Sequence, residues 1–327
     1  MNLDISIIVP VYNEEESLPE LNRWIAEVLE NKYTYEVLYI DDGSSDKSWA
    51  VINQLVDDDT HARGIRFTRN YGKSAALDTG FTHATGEVII TMDADLQDSP
   101  EEIIGLYNKI KKEGYDLISG WKKKRYDPIS KTIPSKFFNY VTRKMTGIPL
   151  HDFNCGLKAY YYRVAKSVRV YGEMHRYIPV LAKWNGYRNI GEMVVQHRAR
   201  KYGVTKFGLE RFINGFLDLL SVTFVTRFKQ RPMHFFGTLG VLSFVLGFFG
   251  TMAIIFNKIY HLYYQLPVRE VTDQPLFYLS LVTLIIGVQL FLTGFLAEMI
   301  SISTMKKNPY LIEEIIGVKS TDAPVKT

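Results

Sequence analysis

Cysteine is almost absent from this sequence, and its scarcity excludes two kinds of protein. The 327 residues include one cysteine, Cys155, so neither an internal disulfide framework nor a multi-cysteine zinc site can form. We expect Cys155 to be a small packing residue rather than a nucleophile. The composition is typical of a protein that folds in a reducing compartment.

The chain also lacks a strong excess of charge of either sign. Its 39 Lys and Arg residues against 35 Asp and Glu residues give a net charge of +4, which is too mild to indicate a nucleic-acid partner. No P-loop is present, and no G-x-G-x-x-G follows the first predicted strand. These absences disfavour an ATPase and a dinucleotide-dependent oxidoreductase.

The first 200 or so residues alternate between apolar runs and amphipathic segments. Strands are predicted at 5–12, 35–40, 64–68, 87–92 and 115–120, and helices at 15–30, 46–56, 73–84 and 100–113. Near-continuous apolar strands alternating with helices predict an α/β domain with a mostly parallel sheet covered on both faces. The first apolar run lacks a basic segment before it and ends in acidic residues, so we expect no signal peptide and a domain that stays in the cytosol.

Polar residues follow four of the predicted strands, at the point where each strand ends. The four turns are at 9–14, 41–46, 69–73 and 93–98. In an open parallel sheet, ligands bind beyond the carboxyl ends of the strands. Helix capping alone does not explain four polar turns at the same edge. The pattern therefore indicates a ligand site.

The fourth turn contains the pattern that is most informative about chemistry. Asp93 and Asp95 are separated by one residue at a strand end, and Gln97 offers an amide oxygen. Two carboxylates in this arrangement can share a hard divalent cation such as Mg²⁺ or Mn²⁺, which commonly binds substrate phosphates as well. The turn therefore predicts a site for a metal ion and a diphosphate.

Two long uncharged runs predict a pair of membrane-spanning helices at His234–Phe256 and Leu276–Ala297. Each exceeds the thickness of about 30 Å of a bilayer core at a rise of about 1.5 Å per residue. The alternative, two helices of a soluble core, is disfavoured because such helices rarely stay apolar all round. Basic residues precede the first run and follow the second, which predicts a cytosolic location for both termini. The domains are thus predicted as 1–206, a juxtamembrane amphipathic region at 207–233, the spans within 234–300, and a weakly patterned cytosolic tail at 301–327.

The ordered set VPVYNE, DDGSSD, RNYGK and DADLQD resembles glycosyltransferase family 2, over roughly residues 3–210. Within that family the chain resembles the polyprenyl-phosphate glycosyltransferases, such as dolichol-phosphate mannose synthase and bacterial undecaprenyl-phosphate glucosyltransferases. The resemblance implies a Rossmann-like GT-A fold. It also implies inverting, metal-dependent transfer of a sugar from UDP-glucose, a UDP-hexosamine or GDP-mannose to a polyprenyl phosphate, at the cytosolic face of the cell membrane.

The resemblance also implies roles for residues at the matching positions. The nucleotide would be lined by Pro10, Tyr12, Glu14, Asp42, Asp93, Ala94 and Asp95. Asp42 would read the base or the ribose. Asp93 and Asp95 would hold Mg²⁺ or Mn²⁺ with Gln97, and Asp95 would also act in catalysis.

Two basic stretches fit the same subgroup. In 121–144, the resemblance implies that Lys122, Lys131 and Lys136 bind the acceptor phosphate; the alternative is a solvated charged face. In 198–207, a stretch similar to the family's R-x-x-G-x-S-K loop, Arg200 and Lys206 would clamp the donor diphosphate and act in catalysis; the alternative is a juxtamembrane basic patch.

Asp152 begins a D-x-x-x-G element similar to one that the family places near the acceptor. The resemblance therefore implies that Asp152 positions the acceptor, and it is the remaining candidate catalytic residue.

Two other functions are compatible with parts of the pattern. A polysaccharide synthase that acts on a sugar or glycolipid hydroxyl would need a deprotonating base, and its family usually shows a Q-x-x-R-W element, which does not occur here. A membrane-anchored scaffold that binds nucleotide without turnover is the non-enzymatic alternative. The donor, the natural lipid and the oligomeric state stay open, although glycines in the spans would permit self-association.

Overall fold

The computed structural model describes residues 3–123, 129–172, 174–198, 201, 232–267, 269–303 and 312–316. The chain forms two units, one spanning Met1–Thr223 and Pro309–Thr327, the other spanning Phe224–Asn308. The strands are β1 (Ile5–Val11), β2 (Tyr35–Asp41), β3 (Ala62–Phe67), β4 (Val88–Thr91), β5 (Leu117–Trp121), β6 (Lys158–Tyr161), β7 (Ile190–Val194) and β8 (Ile312–Ile316). The helices are α1 (Leu18–Leu29), α2 (Ser48–Asp58), α3 (Lys73–His83), α4 (Glu102–Glu113), α5 (Ile129–Thr146), α6 (Tyr162–Ser167), α7 (Ile178–Trp184), α8 (Pro232–Tyr263) and α9 (Pro275–Ser303).

The described strands of the first unit form one mixed sheet in the order β7-β5-β6-β4-β1-β2-β3-β8. β1 pairs in parallel with β2 and β4, β2 with β3, and β5 with β7. β6 runs antiparallel between β4 and β5, and β8 runs antiparallel to β3. The predicted α/β domain with a mostly parallel sheet is confirmed.

Hydrophobic cores lie on both faces of this sheet. Along β1, Ile8 packs into the cluster that contains Phe81 of α3. Its neighbours Ile7 and Val9 pack into the cluster that contains Leu21 of α1. Because side chains alternate between the faces of a strand, burial on both sides favours apolar residues at nearly every position. In β1 the exception is Ser6, which is buried.

The second unit is an apolar helical hairpin of α8 and α9. The segments Met233–Tyr263 and Pro275–Ala297 are long and apolar enough to cross a membrane, and only 11% of each apolar window is buried. That low burial distinguishes them from the core helices of a soluble protein. The two backbones touch, since a Cβ placed on Gly240 would lie 2.7 Å from the carbonyl oxygen of Gly287.

Three strands were not predicted from the sequence. β6 and β7 follow the last predicted strand, and β8 lies in the tail that the pattern left without structure. Ile315 of β8 pairs with Ile65 of β3, so the tail completes the edge of the sheet. Short strands that pair with distant segments leave little local signal in a sequence, because the pairing partner rather than the segment itself decides the conformation.

Candidate active site

An open cleft of about 310 Å³ lies beyond the carboxyl ends of β1, β2 and β4. Its lining includes seven of the nine residues predicted to contact the nucleotide and its diphosphate: Pro10, Tyr12, Glu14, Asp42, Asp93, Ala94 and Asp95. The other two, Arg200 and Lys206, lie outside the described residues. The structure thus brings three of the four polar turns together at the edge where the sequence predicts the ligand. The individual contacts of these residues with a nucleotide stay predictions.

The third polar turn also reaches the cleft, although none of its residues was predicted individually as a site residue. Asn70, Gly72 and Lys73 line the same cavity. The signal that could have identified them was the position of the turn 69–73 after β3, at the same edge of the sheet. Lys73 is the first residue of α3. It contributes an ammonium group to a cleft whose other ionisable lining groups include several carboxylates.

Asp42 holds the third turn in place. Its carboxylate accepts hydrogen bonds from the backbone N–H of Tyr71 at 2.7 Å and from that of Gly72 at 2.9 Å. Burial nevertheless raises the pKa of Asp42 to about 6, because desolvation outweighs the two N–H donors. Asp42 therefore orders the loop that leads into Lys73.

Gly43 allows the second and third turns to touch. Its φ is +66°, and a Cβ at this position would lie 2.4 Å from the carbonyl carbon of Arg69. A side chain there would collide with backbone and would also strain the left-handed conformation. The glycine that follows Asp42 is therefore a packing requirement of the cleft wall.

The Asp93 carboxylate sits between a lysine and a glycine. The ammonium of Lys73 contacts its Oδ1, and Gly156 packs so closely that a Cβ there would lie 2.5 Å from Oδ2. Burial alone would raise the pKa of Asp93. The positive charges of Lys73 and Lys122 outweigh that effect and lower the pKa below its ordinary value, so Asp93 is ionised at neutral pH.

The turn after Asp95 has a constrained backbone. Leu96 is buried and adopts a left-handed conformation with φ of +59°, which is uncommon for a residue with a side chain. The backbone N–H of Gln97 donates to Asp95 Oδ1 at 3.2 Å, and its side-chain amide donates to the carbonyl of Arg198 at 3.4 Å. The fourth turn is thus tied to Arg198, the first residue of the second basic stretch.

The carboxylates suit a divalent cation that arrives with a phosphate ligand. Within the described ranges, no cluster of three or more His, Cys, Asp or Glu residues could hold a metal alone. Asp93 and Asp95 both line the cleft, and Gln97 follows in the same turn. Mg²⁺ typically binds through one or two carboxylates, waters and substrate phosphates, so this donor set fits such an ion.

Lys122 does not point into open solvent. Its ammonium lies 2.7 Å from Oδ1 of Asp98, and the Lys122 and Asp98 side chains are 13% and 0% exposed. The predicted ligand of the acceptor phosphate therefore has a partner within the protein, and its contact with an acceptor stays a prediction. Asp98 also forms a β-bridge with His197.

The other predicted site residues are less closely defined. Lys131 and Lys136 lie on α5, where Lys136 is exposed; the side chain of Lys131 falls outside the described part. Arg200 and Lys206 also lie outside the described residues. Asp152 is buried, its Oδ1 accepts the N–H of Asn154 at 3.0 Å, and it is not part of the cleft lining. Its role in positioning an acceptor stays a prediction.

This combination of a mixed α/β sheet and a carboxylate-lined cleft at its carboxyl edge is that of a GT-A glycosyltransferase. The family model described as Glycosyl transferase family 2 matches residues 6–169. The chain belongs to glycosyltransferase family 2, as the resemblance indicated, and it is a glycosyltransferase.

Two relatives match nearly the whole chain. The dodecaprenyl-phosphate galacturonate synthase of Rhizobium johnstonii is 36% identical over 98% of this chain and 95% of its own length. The undecaprenyl-phosphate 4-deoxy-4-formamido-L-arabinose transferase of Shewanella sediminis is 38% identical over the same shares. The predicted subgroup, the polyprenyl-phosphate glycosyltransferases, is thereby confirmed.

The solved structures agree on the fold. Glucosyl-3-phosphoglycerate synthase from Mycobacterium tuberculosis, in complex with Mn²⁺ and UDP-glucose, superposes with a TM-score of 0.54 at 18% identity, covering 69% of this chain and 79% of that one. The same enzyme in complex with UDP gives a TM-score of 0.52 at 17% identity. At this identity the likeness establishes the GT-A fold alone.

Proposed function

We propose that this protein transfers a sugar from a nucleotide-diphosphate sugar to a polyprenyl phosphate, with inversion at the anomeric carbon. The observation that carries the proposal is the presence, in one chain, of a cleft lined by Asp93, Asp95 and Lys73 and of a hairpin long enough to cross a membrane. The cleft suits a diphosphate, and the hairpin suits a lipid-borne acceptor. The two relatives above are named for products or acceptors of this kind.

The chemistry requires no strong base from the protein. A phosphate monoester has its second pKa near ~6 and is largely dianionic at neutral pH, so an oxygen of the lipid phosphate can attack the anomeric carbon directly. The bond from that carbon to the donor diphosphate breaks as the new bond forms on the opposite face. The protein's contribution is then positioning and stabilisation of the leaving diphosphate.

The residues around the cleft would supply that stabilisation. Asp93 and Asp95, with Gln97, would hold Mg²⁺ or Mn²⁺, which when bound neutralises charge that develops on the diphosphate. Arg200 and Lys206 are proposed to add positive charge on the same leaving group. Asp42 would keep the third turn, and with it Lys73, beside the donor.

The donor sugar is proposed to be carried by a nucleoside diphosphate, with UDP-glucose, a UDP-hexosamine and GDP-mannose as the sequence-based candidates. The relatives' names add a galacturonate and a 4-deoxy-4-formamido-L-arabinose, so the panel should include UDP conjugates of both. The reaction is proposed to take place at the cytosolic face of the membrane.

The test uses the full chain in detergent with Mg²⁺ or Mn²⁺ and this donor panel, with and without undecaprenyl phosphate. We expect release of one nucleotide that depends on the lipid, and a glycolipid that carries the matching sugar. Asp95→Asn should abolish both, whereas Lys112→Met, on the exposed face of α4, should change neither. Release that depends on a sugar hydroxyl instead of the lipid phosphate would overturn the proposal in favour of polysaccharide synthesis.

A further inference from the structure

The cleft contains an ammonium group at the point where a metal ion would bind. Lys73 Nζ contacts Oδ1 of Asp93, and each side chain is 33% exposed. Both residues line the cleft. The ion pair therefore lies at the surface of the cavity, where an incoming cation or anion can reach it.

The Asp93 carboxylate packs directly against Gly156. Gly156 backs the carboxylate so closely that even a Cβ there would overlap it. Two further lysines act on Asp93 through their charge, but both are engaged elsewhere. Lys122 pairs with Asp98, and the buried Lys158 donates to the carbonyl of Cys155. Of these three ammonium groups, that of Lys73 is the one in the cleft.

A divalent cation on Asp93 and the ammonium of Lys73 would compete for the same carboxylate. Two cations at one carboxylate repel each other strongly in a partly buried site. Lys73 has an alternative position, because its side chain is a flexible stem with a point charge at its end. It is the first residue of α3 and follows Gly72, which has φ of +91° and, beyond its chain neighbours, nothing within 4 Å of the position that a Cβ would take.

We propose that Lys73 is an exchangeable counterion of the metal site, which a divalent cation and the donor diphosphate displace together. The ammonium leaves Asp93 when the cation binds there, and it pairs with a phosphate oxygen of the arriving diphosphate. The metal and the nucleotide consequently bind cooperatively. The metal releases the ammonium of Lys73 from Asp93, and the diphosphate gives that ammonium a new partner. This inference rests on the proposed function in one respect, namely that the diphosphate belongs to a sugar donor.

The cooperativity has a purpose that follows from the charges. Before a donor arrives, Lys73 neutralises Asp93 and makes the carboxylate a weak ligand for free metal ions. After the donor arrives, the same charge shifts to the diphosphate, where it helps to stabilise the leaving group. Lys73 thus balances the charge of Asp93 in the empty cleft and the charge of the diphosphate in the occupied cleft.

The test measures Mn²⁺ binding to the full chain in detergent by calorimetry, without nucleotide and then with saturating UDP or GDP. The variant Lys73→Met should bind Mn²⁺ alone about tenfold more tightly than the wild type, since the competing ammonium is gone. Nucleotide should strengthen Mn²⁺ binding less in Lys73→Met than in the wild type. Lys73→Arg, which keeps the charge, should retain the weak binding of free Mn²⁺.

Lys112→Met removes the same charge from an exposed position on α4 and should leave the binding of Mn²⁺ unchanged. Equal or weaker binding of free Mn²⁺ by Lys73→Met, including no binding by either protein, would overturn the exchange. So would tighter binding in Lys73→Arg as well, because loss of charge would then not be the cause. A protein that shows the exchange but forms no glycolipid would refute the proposed function and leave this inference standing.

Discussion

At the scale of single residues, two neighbouring lysines of the first basic stretch have different surroundings. Lys122 forms a buried ion pair with Asp98, whereas Lys123 is exposed. Sequence alone could not distinguish them, because the partner of Lys122 lies on another loop. The same holds for Lys73, whose contact with Asp93 joins two turns that only the folded sheet brings together.

We expect Lys122→Met to destabilise the protein by about 3–5 kcal/mol, which is typical when one partner of a buried ion pair is removed. Asp98 would be left buried without its ion-pair partner. The thermal midpoint of the full chain in detergent measures this, with Lys123→Met as the exposed control. The double variant Lys122→Met/Asp98→Leu should recover much of the loss. If Lys122→Met keeps wild-type stability and loses affinity for the lipid phosphate, Lys122 is an acceptor ligand after all.

Asp42 should make stability depend on pH in a window that its pKa defines. Burial raises that pKa from its ordinary value of 3.8 to about 6, so the folded protein binds the proton more tightly than the unfolded chain does. Stability from this group is therefore fully present below about pH 4 and is lost as the pH rises to about 6.

Thermal midpoints of the wild type and Asp42→Asn between pH 4 and pH 8 test this directly. The wild type should lose stability relative to the variant from about pH 4 to pH 6, and the difference should be constant above that range. Comparison with the variant cancels the other titrating groups. A difference that does not change with pH would contradict the raised pKa.

At the scale of elements, the sequence predicted the segments whose pattern is local and missed those that depend on distant pairing. β1, β2 and β4 have apolar runs that burial on both faces demands, and the acidic turns after β2 and β4 marked the site. β6 has four residues and is sandwiched between β4 and β5. Its position depends on strands that are distant in the sequence, so no local periodicity predicts this strand.

β8 pairs along the outer side of β3 and so replaces β3 as the edge strand of the sheet. Its residues pair antiparallel with β3, and an uncovered edge strand exposes unpaired N–H and C=O groups that promote association. We expect a chain that ends after Asn308 to be less stable and to aggregate more than a chain that ends after Gly317, which retains β8. Thermal midpoints and light scattering of the two detergent-purified proteins measure the difference. Identical behaviour would show that β8 contributes nothing to the edge.

At the scale of the whole molecule, the chain divides into an α/β unit that contains the cleft and an apolar hairpin. Residues 224–308 form the second unit, and both predicted spans fall inside it. A long uncharged apolar run is a local pattern that indicates a membrane-spanning helix directly. The orientation of the hairpin in a membrane is a separate prediction, which rests on the distribution of basic residues.

The single cysteine makes that orientation measurable. Cys155 is buried, and burial raises the pKa of its thiol to about 12, so it should react poorly with maleimides. We expect a cysteine introduced at Thr272, in the exposed loop between α8 and α9, to react with a membrane-impermeant maleimide in intact cells. Lys112→Cys should react only after the membrane is opened. The reverse pattern would place the α/β unit outside.

The return of the chain to its own sheet after the hairpin also restricts how it can thread through a bilayer. β1 and β8 belong to one sheet, and the hairpin lies between them in the chain. Hydrogen-bonded strands of one sheet must lie on the same side of a bilayer, so the number of crossings between β1 and β8 has to be even. Two crossings satisfy this parity, and one or three do not. A change that removed one crossing would place β8 on the opposite side of the membrane from β3, where the two could not pair.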